Sequence, residues 1–378
     1  MSDKRSIFEE VGEVRKPQAQ TGVIDRARRG SRGLLRGWLI LLFALVVAMI
    51  AVGGLTRLTD SGLSITEWRP LTGAMPPLSE AAWQAEFEKY RQIPEFQLQN
   101  AWMTLADFKA IYWWEWGHRQ LGRVIGLVWA LGFFGLWAAR RIPTGWHSRL
   151  LLIGGLGGLQ GAVGWWMVSS GLDGSMLDVA SYRLAVHLGL AFIILGFITW
   201  FVLQLGREER DLMQARRLRE TRVFGVATGW MHFAFLQILL GALVAGIDAG
   251  RSFSDWPTIG GGWLPPDPWL LEPAWRNLLE NPGLVQFIHR MSGYALFLYA
   301  IFALLRSRRS VHRSTRAAFT LAFIGLSAQV VLGIYTVVTG APWQVAIVHQ
   351  LLAVLTWVLI LRARFYAAYP VVTSIRGT

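Results

Sequence analysis

Glu115-Trp116-Gly117-His118-Arg119 returns 171 residues later as Gln286-Phe287-Ile288-His289-Arg290. A histidine–arginine pair set at one interval from a polar residue, first an acid and then its amide, reads as one structural unit written twice. Asp60, Gly62, Ser64, Trp68 and Pro77 are matched 188 residues on by Asp248, Gly250, Ser252, Trp256 and Pro265. Gln160, Gly164, Val168 and Gly171 are matched at 169 by Gln329, Gly333, Val337 and Gly340, and His187 at 162 by His349. The offset falls at two loops and holds nearly constant within apolar segments, as loop deletions in the second copy would produce.

The apolar segments decide what kind of unit is repeated. Of 378 residues 53% are hydrophobic, and eight runs fall at roughly 35–55, 120–139, 150–170, 183–205, 224–246, 286–305, 317–339 and 344–361. Crossing a hydrocarbon core takes about 20 apolar residues. The expectation is an all-α polytopic membrane protein with eight transmembrane helices, arranged as two tandem pseudo-symmetric four-helix bundles. A basic leader covers 1–34, the N-terminal bundle 35–205, a charged linker 206–223, the C-terminal bundle 224–365 and a tail 366–378. An even number of spans per half makes the copies parallel repeats about an axis along the membrane normal.

A net charge of +13 could signal nucleic acid, but its distribution argues otherwise. Basic residues collect in the leader (Arg26, Arg28, Arg29, Arg32, Arg36), at Arg140, Arg141 and Arg149, from Arg207 to Arg222, from Arg306 to Arg316, and at Arg362 and Arg364. These are alternate loops, so the positive-inside rule sets both termini in the cytoplasm and the chain in a cell inner membrane. The opposite loops carry Asp60, Glu67, Glu80, Glu86, Glu88, Asp173, Asp178, Asp248, Asp255 and Asp267. The first run is too long for a signal-peptide core and is expected to stay as an anchor. With no cysteine, disulfides, thiolate metal sites and iron–sulfur clusters are excluded. No Gly-rich loop follows a strand to cradle phosphate. The longest outer segment, 56–110, holds Trp83, Phe87, Tyr90, Phe96 and Trp102 and is expected to fold as a short amphipathic lid.

His118, His187, His289 and His349 fall near the outer ends of the second, fourth, sixth and eighth spans. Two repeated imidazoles per half, without a repeated third ligand, suit the axial positions of a heme better than a zinc or non-heme iron site. Arg119 and Arg290 stand beside the ligands where heme propionates need cations, and Arg183 lies one turn before His187. Interfacial snorkelling is the plainer reading of these arginines. His147, His312 and His232 receive no ligand role. Glu115 shares a helix face with His118 at the i, i+3 spacing. An ordinary interfacial glutamate is the plainer reading there, but Gln286 in the other copy singles out the first pocket as the chemically armed one.

At these residues the chain resembles heme A synthase, the membrane enzyme that oxidises a methyl group of heme O to the formyl group of heme A. The resemblance spans about residues 35–365. It rests on the run from Gly53 to Ser64 (GGLTRLTDSGLS), on Glu115 to Arg119, on the later histidines and on the duplicated bundles. Lacking loop cysteines, the chain is most similar to the proteobacterial and mitochondrial branch. The resemblance implies that His118 and His187 flank the substrate heme O in the first bundle, with Glu115 essential to its stepwise hydroxylation. It implies that His289 and His349 hold a heme b cofactor in the second. It also points to partners: a heme O synthase (farnesyltransferase), cytochrome oxidase assembly factors and an electron acceptor. A bis-histidine transmembrane cytochrome b, an electron carrier without chemistry of its own, explains the four histidines equally well but not the Glu115/Gln286 difference. A transporter explains the duplication but not the imidazole pairs.

Overall fold

The computed structural model describes residues 23–172 and 176–371. The leader up to residue 22, Asp173 and the tail from residue 372 lie outside the described residues, as do the side chains of Arg26, Arg28 and Arg29. Eight helices are long and apolar enough to span a membrane. They are α1 (Val23–Leu58), α4 (Leu105–Ala138), α5 (His147–Leu172), α6 (Ser181–Leu205), α8 (Thr221–Gly246), α11 (Pro282–Ser307), α12 (Arg313–Val338) and α13 (Trp343–Ala368). Between them lie the shorter α2 (Glu80–Tyr90), α3 (Pro94–Leu98), α7 (Glu209–Arg217), α9 (Ala249–Ser252) and α10 (Asn277–Glu280). Among the described residues β-structure amounts to one isolated bridge, Ile259 to Gly262. The chain is a multi-pass helical membrane protein.

Seven spans fall where the apolar runs lie, while α4 begins far earlier than 120. A capping box starts it: Asp107 accepts from the Thr104 amide at 2.9 Å, and the Thr104 hydroxyl accepts from the Asp107 amide. The run from Asp107 to Arg119 breaks the apolar window, but helical hydrogen bonding does not need apolar side chains. What it needs is a partner for the polar ones, and the lid supplies it.

Four helices close around each half. In the first, α1 packs on α4 and α6 while α5 bridges α4 to α6; in the second, α8 packs on α11 and α13 while α12 bridges α11 to α13. The halves meet where α6 lies on α8 and α13 and where α1 lies on α13. Leu35, Leu39 and Leu42 of α1, Leu195 and Ile198 of α6, Trp230 of α8 and Ile360 of α13 are fully buried in one continuous apolar core. Three indole N–H groups link neighbouring helices, since hydrocarbon offers them no water. Trp38 donates to the Val128 carbonyl at 3.0 Å, Trp129 to Leu150 at 3.1 Å and Trp357 to Phe192 at 3.2 Å.

On the lid face, the repeated residues Asp60 and Asp248 both turn the chain with φ near +50°, a region that Asp tolerates better than most residues. One guanidinium joins them across the halves: Arg57 donates to Asp60 at 2.7 Å and to Asp248 at 2.8 Å, with Asp178 at 3.5 Å.

The lid is a second core. Trp83, Phe87 and Tyr90 of α2 and Phe96 of α3 pack with Leu63, Ile65, Phe108, Ile111 and Tyr112, whereas Trp102 is exposed. Buried within it, the Glu95 carboxylate accepts from Tyr90 Oη at 3.1 Å and from Asn100 Nδ2 at 3.1 Å. Burial pushes this carboxyl up to about 8, and Asp178, Asp60 and Glu115 nearby push the same way, while the Tyr90 hydrogen bond opposes them. From the usual carboxyl range up to about 8 the packed lid therefore holds a proton that an unfolded lid has released, so lid stability falls as pH rises through that window. Amide exchange across 80–112, corrected for its intrinsic rate, is expected to quicken between about pH 5 and about pH 8 and to level off above. Glu95→Gln should flatten that dependence; an unchanged profile would refute the assignment.

Candidate functional site

Helix registry brings the four histidines into two pairs. His118 on α4 and His187 on α6 face one another with ring centroids 6.5 Å apart and planes at 68°. Two imidazoles sharing one metal at about 2.0–2.1 Å per nitrogen bring their centroids to roughly 6 Å. The observed spacing therefore suits a shared ion between them. His289 on α11 and His349 on α13 take the corresponding positions in the second bundle.

Each imidazole stands opposite a glycine. A Cβ at Gly53 would lie 3.1 Å from His118, at Gly164 2.9 Å from His187, at Gly241 3.1 Å from His289 and at Gly333 3.0 Å from His349. The missing side chain at each glycine thus makes room for the imidazole ring against the neighbouring helix. Three rings are also touched by a glutamine from the neighbouring helix. The Nε2 groups of Gln160, Gln237 and Gln329 lie 3.1–3.2 Å from the nearest ring nitrogen of His187, His289 and His349, and donate to the same histidines' carbonyls at 2.9–3.0 Å. Their Oε1 atoms are buried without partners. Among the described residues no group of three or more His, Asp or Glu could hold a metal. A pair of imidazoles without a third ligand in each bundle is compatible with a heme there.

Glu115 is 2% exposed and fully engaged. Its Oε2 accepts from Ser64 Oγ at 2.8 Å and from the Ile65 amide at 2.7 Å; its Oε1 accepts from Arg119 at 2.5 and 3.0 Å. Arg119 continues to the carbonyls of Ile65 at 2.7 Å and Glu67 at 2.9 Å, tying the loop after α1 onto α4. In the second copy Arg290 reaches the repeat-related carbonyls, Phe253 at 3.1 Å and Asp255 at 3.0 Å, together with Thr258 at 2.8 Å. Gln286 there donates to the Phe253 carbonyl at 3.0 Å, and its Oε1 is buried without a partner. The two arginines are thus loop clamps, and the donor Arg290 keeps unpaired is its buried Nε. Arg183 turns to α5, donating to the Trp166 carbonyl at 2.6 Å and lying 4.7 Å over the Trp166 ring. A cavity of about 420 Å³ opens beneath the lid beside Arg119, Arg123 and Tyr112.

Several contributors were not singled out from the sequence. Gln237 escapes repeat matching because its counterpart, Met49, is a different residue. Gly241 could have been found as the match of Gly53 at the 188-residue offset. The partnership of Ser64 and Ile65 with Glu115 depends on a loop path that spacing does not reveal. His232, given no ligand role, has its Nδ1 2.9 Å from the Thr228 carbonyl of its own helix.

Comparison with known proteins adds an independent line. Residues 36–361 match the profile of the family COX15-CtaA, described as cytochrome oxidase assembly protein. A protein of Ruegeria pomeroyi named heme A synthase is 69% identical over the full length of both chains. One of Paracoccus denitrificans with the same name is 59% identical over 99% of both.

Proposed function

The chain belongs to the COX15-CtaA family of cytochrome oxidase assembly proteins, and from that premise we propose that it oxidises the methyl group of heme O to the formyl group of heme A. The observation that carries this reading is the single buried carboxylate, Glu115, at one histidine pair, where the other pair has Gln286. Heme O is held in the first bundle by His118 and His187. Each hydroxylation joins water's oxygen to the methyl carbon and releases two protons, one from the carbon and one from the water, with two electrons that pass to an external electron acceptor. The second gives a geminal diol that loses water to leave the formyl group. Both axial positions being taken by imidazole leaves the chemistry to the ring edge. There Glu115 accepts protons or stabilises developing positive charge, oriented by Arg119, Ser64 and the Ile65 amide.

In the second bundle His289 and His349 would hold heme b, which would supply electron transfer. The spare Nε–H of Arg290 would be available to a propionate. The acidic lid face is outside and both termini are cytoplasmic, in the inner membrane, an orientation that the distribution of loop charges supports. A heme O synthase delivers substrate, and cytochrome oxidase assembly receives the product.

Pigment extraction from protein coexpressed with a heme O source tests the reading. Heme b together with heme A, or with heme O and its alcohol, is the expected result. Heme b alone would favour the electron-carrier alternative, and absence of heme would overturn both.

A further inference from the structure

Three of the four pocket imidazoles are touched by glutamine, and the fourth, His118, has no hydrogen-bonding side chain on its ring among the described residues. The exception is built into the repeat. Gln237, which touches His289, corresponds at the 188-residue offset to Met49 on α1. The side chains also occupy equivalent space. A Cβ at Gly293 would meet Gln237 Nε2 at 3.2 Å, and one at Gly122, its match at 171, would meet Met49 Cε at 3.5 Å. A thioether fills that space but donates nothing and accepts only weakly.

A partner outside the ligand fixes the orientation of an imidazole ring. In the second bundle both histidines are held in this way, the Nε2 groups of Gln237 and Gln329 each bridging the carbonyl and the ring of one histidine. In the first, only His187 is so held, by Gln160. We propose that Met49 makes His118 the exchangeable ligand of the first pocket, so that its heme can be released while the second pocket retains its own. The proposal rests on the functional reading above for the identity of the two hemes. Met49 is a positioning residue: it acts through the His118 ring.

The test uses full-length protein purified with its hemes, and apomyoglobin in excess as the heme acceptor. Met49→Gln is expected to slow heme loss from the first pocket roughly 10–100-fold and to narrow that heme's low-spin electron paramagnetic resonance signal, since a held His118 ring has a single orientation. Met49→Leu keeps the volume and adds no hydrogen bond, and should behave like the parent. The reciprocal Gln237→Met should speed loss from the second pocket by a similar factor. Equal exchange rates in Met49→Gln and Met49→Leu, or an unaltered second pocket in Gln237→Met, would overturn the proposal. If both pockets of the parent yield only heme b, the functional reading fails, while the exchange rates still decide the role of Met49.

Discussion

Glu115→Gln is expected to leave both hemes bound and to lower heme A formation by roughly 10²–10⁴-fold, the range general acid–base groups supply. The second half shows why the fold should survive. Gln286 occupies the same position, and its loop is still held by the three carbonyl bonds from Arg290. What the amide cannot do is take a proton or offset positive charge. Loss of charge-assisted bonds from Arg119, Ser64 and Ile65 should cost about 1–3 kcal/mol of local stability, less than unfolding requires. Ser64→Ala removes one of those bonds while keeping the charge, so its activity should fall far less. Heme analysis of cells supplied with heme O should show substrate or its alcohol accumulating in Glu115→Gln. A normal heme A yield would sink the role given to Glu115.

The histidine pairs were legible in the sequence because repetition marks them: a chance histidine has no reason to recur at 171 or 162 residues. The spans were legible because hydrocarbon imposes both length and composition. Where polarity and helicity part company, as in α4 from Leu105 to Arg119, hydropathy placed the start of the helix too late. Polar side chains there are satisfied by a lid whose path a linear reading does not contain. The arginines illustrate a different limit. Adjacency to a ligand suggested propionate partners, but it does not reveal that both guanidiniums also hold carbonyls of the preceding loop at repeat-related positions. Gln237 was illegible for the reason that makes it informative: it is where the copies differ.

His289→Ala is expected to abolish the resident heme b signal while sparing the first pocket. One imidazole of the pair would remain, but His349 alone would leave the iron five-coordinate, with a cavity where the other ring was. Gln237 would keep no ring to orient, and its buried Oε1 would stay unpaired. Helix packing should persist, because His289 lies outside the apolar core, which runs through Leu296, Ala300 and Ala303 of the same helix. Total heme per protein should then fall by about half, with the remaining pigment in the first pocket, bound through His118 and His187. His118→Ala should show the complementary pattern, losing the substrate heme and keeping heme b. Pyridine hemochrome analysis with low-temperature electron paramagnetic resonance separates the two pockets. An unchanged low-spin heme b signal in His289→Ala would mean that the second iron is held elsewhere, and the division of labour between the bundles would fall with it.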